Sequence, residues 1–409
     1  MNDRDRPTLL VLSSTYPRWA GDPEPAFVHE LCRRLVSAFD VIALVPDAPG
    51  ADASGIHEGV EVVRYRYAPR SWQTLVNDGG IMTNLRRNRW KFALVPPLIL
   101  AQWWRARHLL RTRRIDVVHA HWLIPQGLIG ALLRGARRRA PALLVTSHGA
   151  DLFALRGRVP DALKRFVVRR ANAVTVVSPA MKAALEKIGA DTSRVEVRSM
   201  GVDLSERFVR DEAQMRSTDE ILFVGRLVEK KGLKFLIEAM PRIIAGHPAA
   251  RLTVAGFGPE EPALRARVAE LGLTSVVDFV GAVSQADLPV RYRRAAVLVA
   301  PFVEAASGDQ EGLGLVVVEA LGCGCPVVLS DLPATREILP GSSACTRVPP
   351  GDGRAIADAV AQVLRDPSRH RSAVIDARPE IERTFDWAAV ARQYTAIIDR
   401  ALAAARAPQ

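Results

Sequence analysis

Residues 301–329 read PFVEAASGDQEGLGLVVVEALGCGCPVVL, and this stretch decides the fold of the chain around it. It follows an apolar run, 295–300, that reads as a strand. A small polar loop at 307–310 leads into Glu311-Gly312-Leu313-Gly314, then an apolar segment carrying Glu319, a Gly/Cys/Pro turn, and a short buried strand at 327–329. The pattern is strand, loop, helix, turn, strand. A helix beginning near Gly314 has first-turn N–H groups with no partner inside the helix, and these can hold an anion. Gly312 and Gly314 let the backbone bend close to a ligand. Glu311 precedes the helix and Glu319 lies one to two turns inside it. That spacing fits two carboxylates on one rim of a pocket, and equally a helix cap with one surface glutamate.

At 409 residues, two domains near 200 residues each are expected. The composition, 48% hydrophobic and 24% charged, is that of a soluble globular protein. The N-terminus, MNDRDRPTLLVLSSTYP, sets two Asp before a very short apolar run and is not expected to be a secretion signal. No stretch reaches the 18 or so apolar residues of a spanning helix. Cys32, Cys323, Cys325 and Cys345 suit small buried hydrophobes in a reducing compartment, and Cys323-Gly324-Cys325 has the wrong spacing for a zinc knuckle. The net charge of +12 is uneven: residues 79–115 hold nine Arg/Lys and no Asp/Glu. Such a surface suits nucleic acid, anionic lipid or phosphorylated small molecules, and composition does not choose among them.

Taken from the start, 9–12 is a buried strand, and 13–25 is a loop with Pro17, Gly21, Asp22, Pro23 and Pro25. An amphipathic helix is expected over 27–39 and a strand over 41–45. This opening marks an α/β domain whose ligands meet the loops at the strands' C-terminal ends. No GxGxxG follows the first strand, so a dinucleotide site of that type is not supported. Residues 59–67 read as a further strand or hairpin.

The region 72–114 is unusual. An apolar patch, 92–101, lies between arginine-rich flanks: Arg86, Arg87, Arg89 and Lys91 on one side, Arg105 on the other, with Trp90, Trp103 and Trp104 at the borders. Pro96-Pro97 is expected to break any helix through its centre. Tryptophans beside arginines around a patch too short to span a bilayer fit an interfacial surface. Two ordinary helices with a solvated basic face are the plainer alternative. Nucleic acid is disfavoured, because the aromatics flank the patch instead of forming a stacking platform.

Further strands are read at 116–119 and 142–146. The first runs into HAHW, 119–122, and the second ends in Ser147-His148-Gly149-Ala150-Asp151. His148, directly after a buried strand, stands either as a ligand-facing residue or as a satisfied loop residue. A composition shift over 201–217 marks the domain boundary, and a second α/β unit begins with a strand at 220–224. Arg226 and Lys231 in the next loop, ahead of a helix at 233–244, form an anion site. Gly256-Phe257-Gly258-Pro259 is a second glycine-rich strand-end turn. The tail, 385–404, reads as an amphipathic helix.

With these loops assembled, the sequence resembles the retaining, two-domain nucleotide-sugar glycosyltransferases of family 4 (glycosyl transferases group 1), in their bacterial exopolysaccharide and cell-surface-glycan branch. The resemblance rests on GRLVEKKG at 225–232, AGFGPE at 255–260, VDFVGAV at 277–283 and above all EGLGLVVVE at 311–319, with GVD at 201–203, SHGAD at 147–151 and FDWAAVARQY at 385–394. It implies the GT-B fold: two Rossmann-like α/β/α domains facing across a cleft. The implied division is 1–205 for the acceptor, 206–384 for the sugar nucleotide, and 385–409 as a helix packing back on the first domain.

The resemblance also implies roles. Arg226 and Lys231 would hold the donor diphosphate, Glu311 would meet the sugar's hydroxyls, and the backbone of Gly312, Leu313, Gly314, Leu315 and Val316 would meet its phosphates and sugar. Glu319 would bind the ribose, His148 the sugar near the reacting centre, and Gly21 and Gly256 would line the donor site. Asp22, His121 and Asp151 are placed on the acceptor side. No DxD-like pair stands at a strand end, and the Arg/Lys pair can neutralise the leaving diphosphate, so no metal and no cofactor is expected. HAHWLIPQG and the tryptophan-bordered patch imply a lipid-linked acceptor such as a polyprenyl-diphosphate glycan, at the cytoplasmic face of the inner membrane. The sequence departs from the family at Leu313, where Phe is common, at 331–337, which lack the frequent Gly-Gly before Pro, and at Ser199-Met200-Gly201. A soluble acceptor, a non-catalytic partner that kept the fold, and an epimerase of the same shape are the competing readings; no second acid–base set is present for the last.

Overall fold

The computed structural model describes residues 6–22, 24–77, 80–134 and 140–406; Pro23, Gly79 and 407–409 of the expected tail lie outside them. The chain divides into two compact units, 1–201 with 390–409, and 202–389.

The first unit carries an eight-stranded sheet. Its strands are β1 (Thr8–Leu12), β2 (Asp40–Pro46), β3 (Gly55–His57), β4 (Val60–Tyr65), β5 (Val117–His121), β6 (Ala142–Ser147), β7 (Ala173–Val176) and β8 (Val195–Val197), in the order β3-β4-β2-β1-β5-β6-β7-β8. All pair in parallel except the edge hairpin β3–β4. Central strands such as TLLVL and ALLVTS are nearly all apolar because a parallel sheet is covered on both faces. Strand order reverses between β1 and β5, so the loops that follow those two strands open onto a crevice of the kind that binds ligands in such sheets.

The second unit repeats the plan with six parallel strands: β9 (Glu220–Val224), β10 (Arg251–Ala255), β11 (Val277–Gly281), β12 (Val297–Ala300), β13 (Val327–Ser330) and β14 (Cys345–Val348), ordered β11-β10-β9-β12-β13-β14. Its core joins Ile221, Phe223, Val254, Val297 and Val299 of the strands to Leu236, Met240, Ile356 and Val360 of the Leu233–Gly246 and Gly353–Arg365 helices. The order reverses between β9 and β12, where Ile221 pairs with Val297 and Leu222 with Leu298. The loops 225–232 and 301–314, which carry the sequence motifs, therefore leave adjacent strands at the reversal point.

Three details differ from expectation. The boundaries lie at 201/202 and 389/390 instead of 205/206 and 384/385: Val202 N donates to Phe385 O (2.8 Å) and pairs with Asp386, and Arg378 bonds the carbonyls of Leu204 and Gly322, which fastens 202–208 and 385–389 to the second unit. Pro96-Pro97 does not break a helix. The two prolines open the Val95–Thr112 helix in its first turn, where no N–H is needed from them. The first helix ends at Leu35, short of 39.

Candidate active site

In the second unit, the turns after β9 and β10 are zipped together by backbone bonds. Gly225 N donates to Ala255 O (3.0 Å) and Leu227 N to Phe257 O (2.9 Å). A Cβ on Gly256 would lie 1.8 Å from Gly225 O, so only glycine permits this approach. Arg226 lies half-buried between these anchor points. The chain then makes a tight turn, Glu229–Lys231, and enters the Leu233–Gly246 helix.

That turn is bonded to the loop after β12 at three points. Lys231 Nζ donates to Glu311 Oε2 (2.7 Å), Lys230 Nζ to Asp309 Oδ1 (3.2 Å), and Glu229 Oε1 accepts from Ala306 N (2.8 Å). Lys231 Nζ also stands 4.7 Å over the Phe302 ring. Burial tends to raise the Glu311 carboxyl, but Lys231 and Lys230 beside it and the Gly312 N–H bring it down to about 2, so it is ionised. Glu229, Lys230 and Asp309 carried no sequence expectation as a set, since their pairing appears only once the loops are brought together.

The helix Leu315–Gly322 begins where expected, after Gly314 at φ +90°. A Cβ at Gly314 would sit 2.8 Å from Phe302 Cε2, so glycine serves both the turn and the packing. Leu313 is buried, and Leu315 and Val316 open the first turn. Glu319, in the second turn, is buried and accepts from Tyr292 Oη (2.8 Å). Burial raises its carboxyl to about 7, against the opposing pull of Tyr292 and Lys231. The two glutamates therefore differ in kind: one is a fixed anion beside a lysine, the other a carboxyl poised near neutrality. Tyr292 was not foreseen; nothing in the Leu288–Arg294 segment advertises a partner for Glu319.

In the first unit, His148 follows β6 directly, with Gly149 turning the chain at φ +108°. His148 Nε2 lies 2.9 Å from His121 Nδ1 at the end of β5. His119, two residues earlier, pairs its Nε2 with Thr146 Oγ1 (2.8 Å), which meets Thr175 Oγ1 (2.7 Å). Phe27 and Trp122 pack on His148, with ring centroids 4.8 and 5.0 Å away. Burial depresses His148 and His119 to about 3 and His121 well below the ordinary value, so all three rings are neutral. His121 is fully buried. Asp151 is buried too; it accepts from Leu123 N (2.6 Å) and Ser147 Oγ (2.8 Å), and fastens the loops around His148. Gly21 is exposed in the loop after β1, at φ +80°. The same loop is clamped by Asp22, whose oxygens take Arg18 Nε and Nη2, each at 2.8 Å. His119, Thr146, Phe27 and Trp122 were missed as a group, although HAH within a strand signalled alternate histidines.

The basic region forms the Gly80–Arg87 helix, the short turn Arg89–Leu94 and the Val95–Thr112 helix. Trp72, Trp90, Phe92, Leu100 and Trp104 are exposed by 56%, 46%, 57%, 56% and 62%, and Arg86, Arg87, Arg89 and Arg105 are exposed around them. Two of the expected contacts differ. Lys91 turns back to Thr74 O and Asn84 Oδ1, both at 2.9 Å, and Trp103 is half-buried with Arg107 over its ring. Among the described residues, no helix is long and apolar enough to cross a membrane, and no group of three or more His, Cys, Asp or Glu could hold a metal ion.

Comparison with known proteins gives one consistent picture. Residues 26–206 match "Glycosyltransferase Family 4" and 218–366 match "Glycosyl transferases group 1". The chain is 31% identical to a phosphatidyl-myo-inositol mannosyltransferase of Mycobacterium leprae over 71% of its length and 74% of that protein's. It is 28% identical to a glycogen synthase of Mycobacterium tuberculosis (98% and 96%) and 29% to a putative colanic acid biosynthesis glycosyltransferase of Escherichia coli (70% and 70%). Among solved structures it resembles sucrose-phosphate synthase from Thermosynechococcus elongatus (TM-score 0.79, 23% identity, 98% and 100% covered). It also resembles Anabaena HepE in complex with UDP and glucose (0.72, 16%, 96% and 100%). These likenesses identify the fold as GT-B.

Proposed function

The chain belongs to the group 1, family 4 glycosyltransferases and uses a nucleotide sugar; from that premise we propose a retaining enzyme that moves a hexosyl group from a UDP- or GDP-sugar to a sugar hydroxyl of a lipid-linked acceptor. The observation that carries the donor half is the Lys231–Glu311 pair at the strand-order reversal, beside Arg226 and the start of the Leu315–Gly322 helix. Breaking the anomeric C–O bond puts positive charge on the sugar and negative charge on the leaving diphosphate. Lys231, Arg226 and the first helical N–H groups stabilise the diphosphate, and preorganised charge of this kind is usually the largest catalytic term. Glu311 meets the sugar's hydroxyls and Glu319 the ribose. With Glu319 committed to the ribose and bonded to Tyr292, no carboxylate is assigned as a nucleophile. The acceptor then attacks from the face the diphosphate leaves, and a departing phosphate oxygen takes its proton. No metal is required in this scheme.

The acceptor half rests on the exposed Trp72, Trp90, Phe92, Leu100 and Trp104 among arginines, which fits an anionic membrane surface. The names of two relatives, a phosphatidylinositol mannosyltransferase and a colanic acid enzyme, point the same way. On this reading the enzyme works peripherally, on the cytoplasmic face of the inner membrane. The glycogen synthase relative favours a soluble acceptor as the second reading.

A panel of UDP-, GDP- and ADP-sugars with a polyprenyl-diphosphate glycan in vesicles tests the whole. The expected product keeps the donor's anomeric configuration. An inverted product, or a trapped glycosyl–protein adduct, overturns the mechanism. For the surface, Trp90→Ala with Trp104→Ala should lower binding to anionic vesicles about ten-fold, given the apolar area removed. A wild-type protein that ignores such vesicles leaves the soluble acceptor as the reading.

A further inference from the structure

We propose that His121 is a positioning residue that fixes His148 as a neutral Nδ1–H tautomer, so that His148 presents a hydrogen-bond donor to an oxygen of the bound sugar nucleotide. This rests on the reading of His148 as the group that meets the transferred sugar.

The contact between His121 Nδ1 and His148 Nε2, 2.9 Å, holds one proton. With both rings neutral, only two arrangements exist. If His148 carries the proton on Nε2, it donates to His121 Nδ1. His121 must then keep its own proton on Nε2, and His148 shows a bare Nδ1 to the site. If His121 carries it on Nδ1, His148 accepts at Nε2, its own proton moves to Nδ1, and it shows an N–H.

The choice is made at the far side of His121. His121 Nε2 is buried and has no hydrogen-bond partner among the described residues. The first arrangement buries an orphan N–H there; the second buries only a bare nitrogen lone pair, and orphaned buried N–H groups are the rarer of the two in proteins. His119, whose ring centroid is 4.2 Å away, does not relieve His121: its Nε2 is engaged by Thr146, and its buried Nδ1 makes no hydrogen bond to His121 or to any other described residue. A charged pair is excluded by burial, which keeps both imidazoles neutral far below pH 7. The rings are nearly parallel, at 7°, and Phe27 and Trp122 pack on His148, so its orientation is fixed as well as its proton.

A neutral Nδ1–H is suited to an oxygen acceptor, a sugar hydroxyl or a diphosphate oxygen. It adds no positive charge near the centre where the sugar itself becomes cationic.

The test is 15N NMR of the [15N]histidine-labelled full chain, with His148→Asn for assignment, alongside kinetics on the sugar nucleotide selected by the panel. The expected spectrum shows His148 protonated at Nδ1. His121→Phe should release that preference and lower kcat about ten-fold, the worth of one neutral hydrogen bond, with donor KM within about two-fold. His121→Asn, whose amide N–H stands near the place of Nδ1, should keep the tautomer and stay within about two-fold of wild-type kcat. An Nε2–H tautomer in the wild type, an unchanged tautomer in His121→Phe, or an Asn variant as impaired as the Phe variant overturns the proposal. If no sugar nucleotide reacts, the functional reading fails, while the spectrum still decides the tautomer.

Discussion

The loops at the two strand-order reversals solve opposite electrostatic problems. In the second unit, Lys231 and Glu311 are ionised partners 2.7 Å apart, backed by Lys230 with Asp309. In the first, three histidines lie together with no charge among them, because burial outweighs any gain from protonation. A diphosphate that departs with its electrons needs full positive charge, and a flexible lysine with a nearby carboxylate supplies it without burying an unpaired ion. A sugar that turns cationic needs the reverse: direction without positive charge. On the proposed function, strong, ionised groups stand where charge accumulates, and neutral, rigid groups where it would do harm.

The sharpest way to break that contrast is to remove one member from each side. Lys231→Ala should lower kcat roughly 10²–10³-fold, the cost of losing a preorganised group aimed at developing charge. His148→Phe should cost about 10²-fold at most, the upper range for one hydrogen bond to a charged group. Steady-state kinetics with the same sugar nucleotide compares them. A His148 variant more damaging than the Lys231 variant would mean that the first unit carries the charge work.

Glu319 offers a finer test, because it belongs to neither class: its carboxyl sits near 7. A carboxyl whose pKa is higher in the folded chain than its ordinary 4.5 favours the folded state most fully below 4.5, and that advantage is lost as pH rises through about 7. Thermal unfolding of the nucleotide-free protein should therefore show stability falling by on the order of 3 kcal/mol across this window, a figure scaled from the shift itself. Glu319→Gln, which can still accept from Tyr292, should flatten that part of the profile. Ribose hydroxyls donate to the ionised form, so nucleotide binding at pH 6 should release a proton, seen as a buffer-dependent heat in calorimetry. Equal heats in all buffers would separate Glu319 from the nucleotide.

Much of this was legible in the sequence, for a physical reason. Parallel strands buried on both faces are short apolar runs, and β9, 220–224, and the start of the Leu315–Gly322 helix were read to the residue or nearly so. The glycines of 256 and 314 were visible because a close approach or a left-handed turn admits no substitute. What stayed hidden depends on tertiary pairing. Tyr292 looks like any helical aromatic until Glu319 is folded against it, and Lys91 looks like its arginine neighbours until Thr74 and Asn84 draw it inward. The prolines at 96 and 97 misled because the same residue that stops a helix also starts one. The helices Gly353–Arg365 and Pro367–Phe385 drew no expectation, although Asp352 and Asp366 each cap one by accepting a backbone N–H.

The smallest expected effect tests where the neutral cluster ends. From His119 the hydrogen bonds pass to Thr146 and Thr175 at 2.8 and 2.7 Å, and then reach Tyr394 Oη only at 3.5 Å, the limit for such a bond. Tyr394 is fully buried, and its ring stacks on His119 with centroids 5.8 Å apart. Tyr394→Phe keeps the ring and deletes only the weak bond, so it should change stability by less than about 1 kcal/mol and kcat by less than about two-fold. Chemical denaturation and kinetics on the same preparation measure both. If the hydroxyl deletion lowered kcat ten-fold in a protein of unchanged stability, the histidines could not be a closed, neutral set. Their proton arrangement would then depend on a hydroxyl from the C-terminal helix, and the tautomer of His148 would be set from Tyr394 inward instead of from the bare nitrogen of His121.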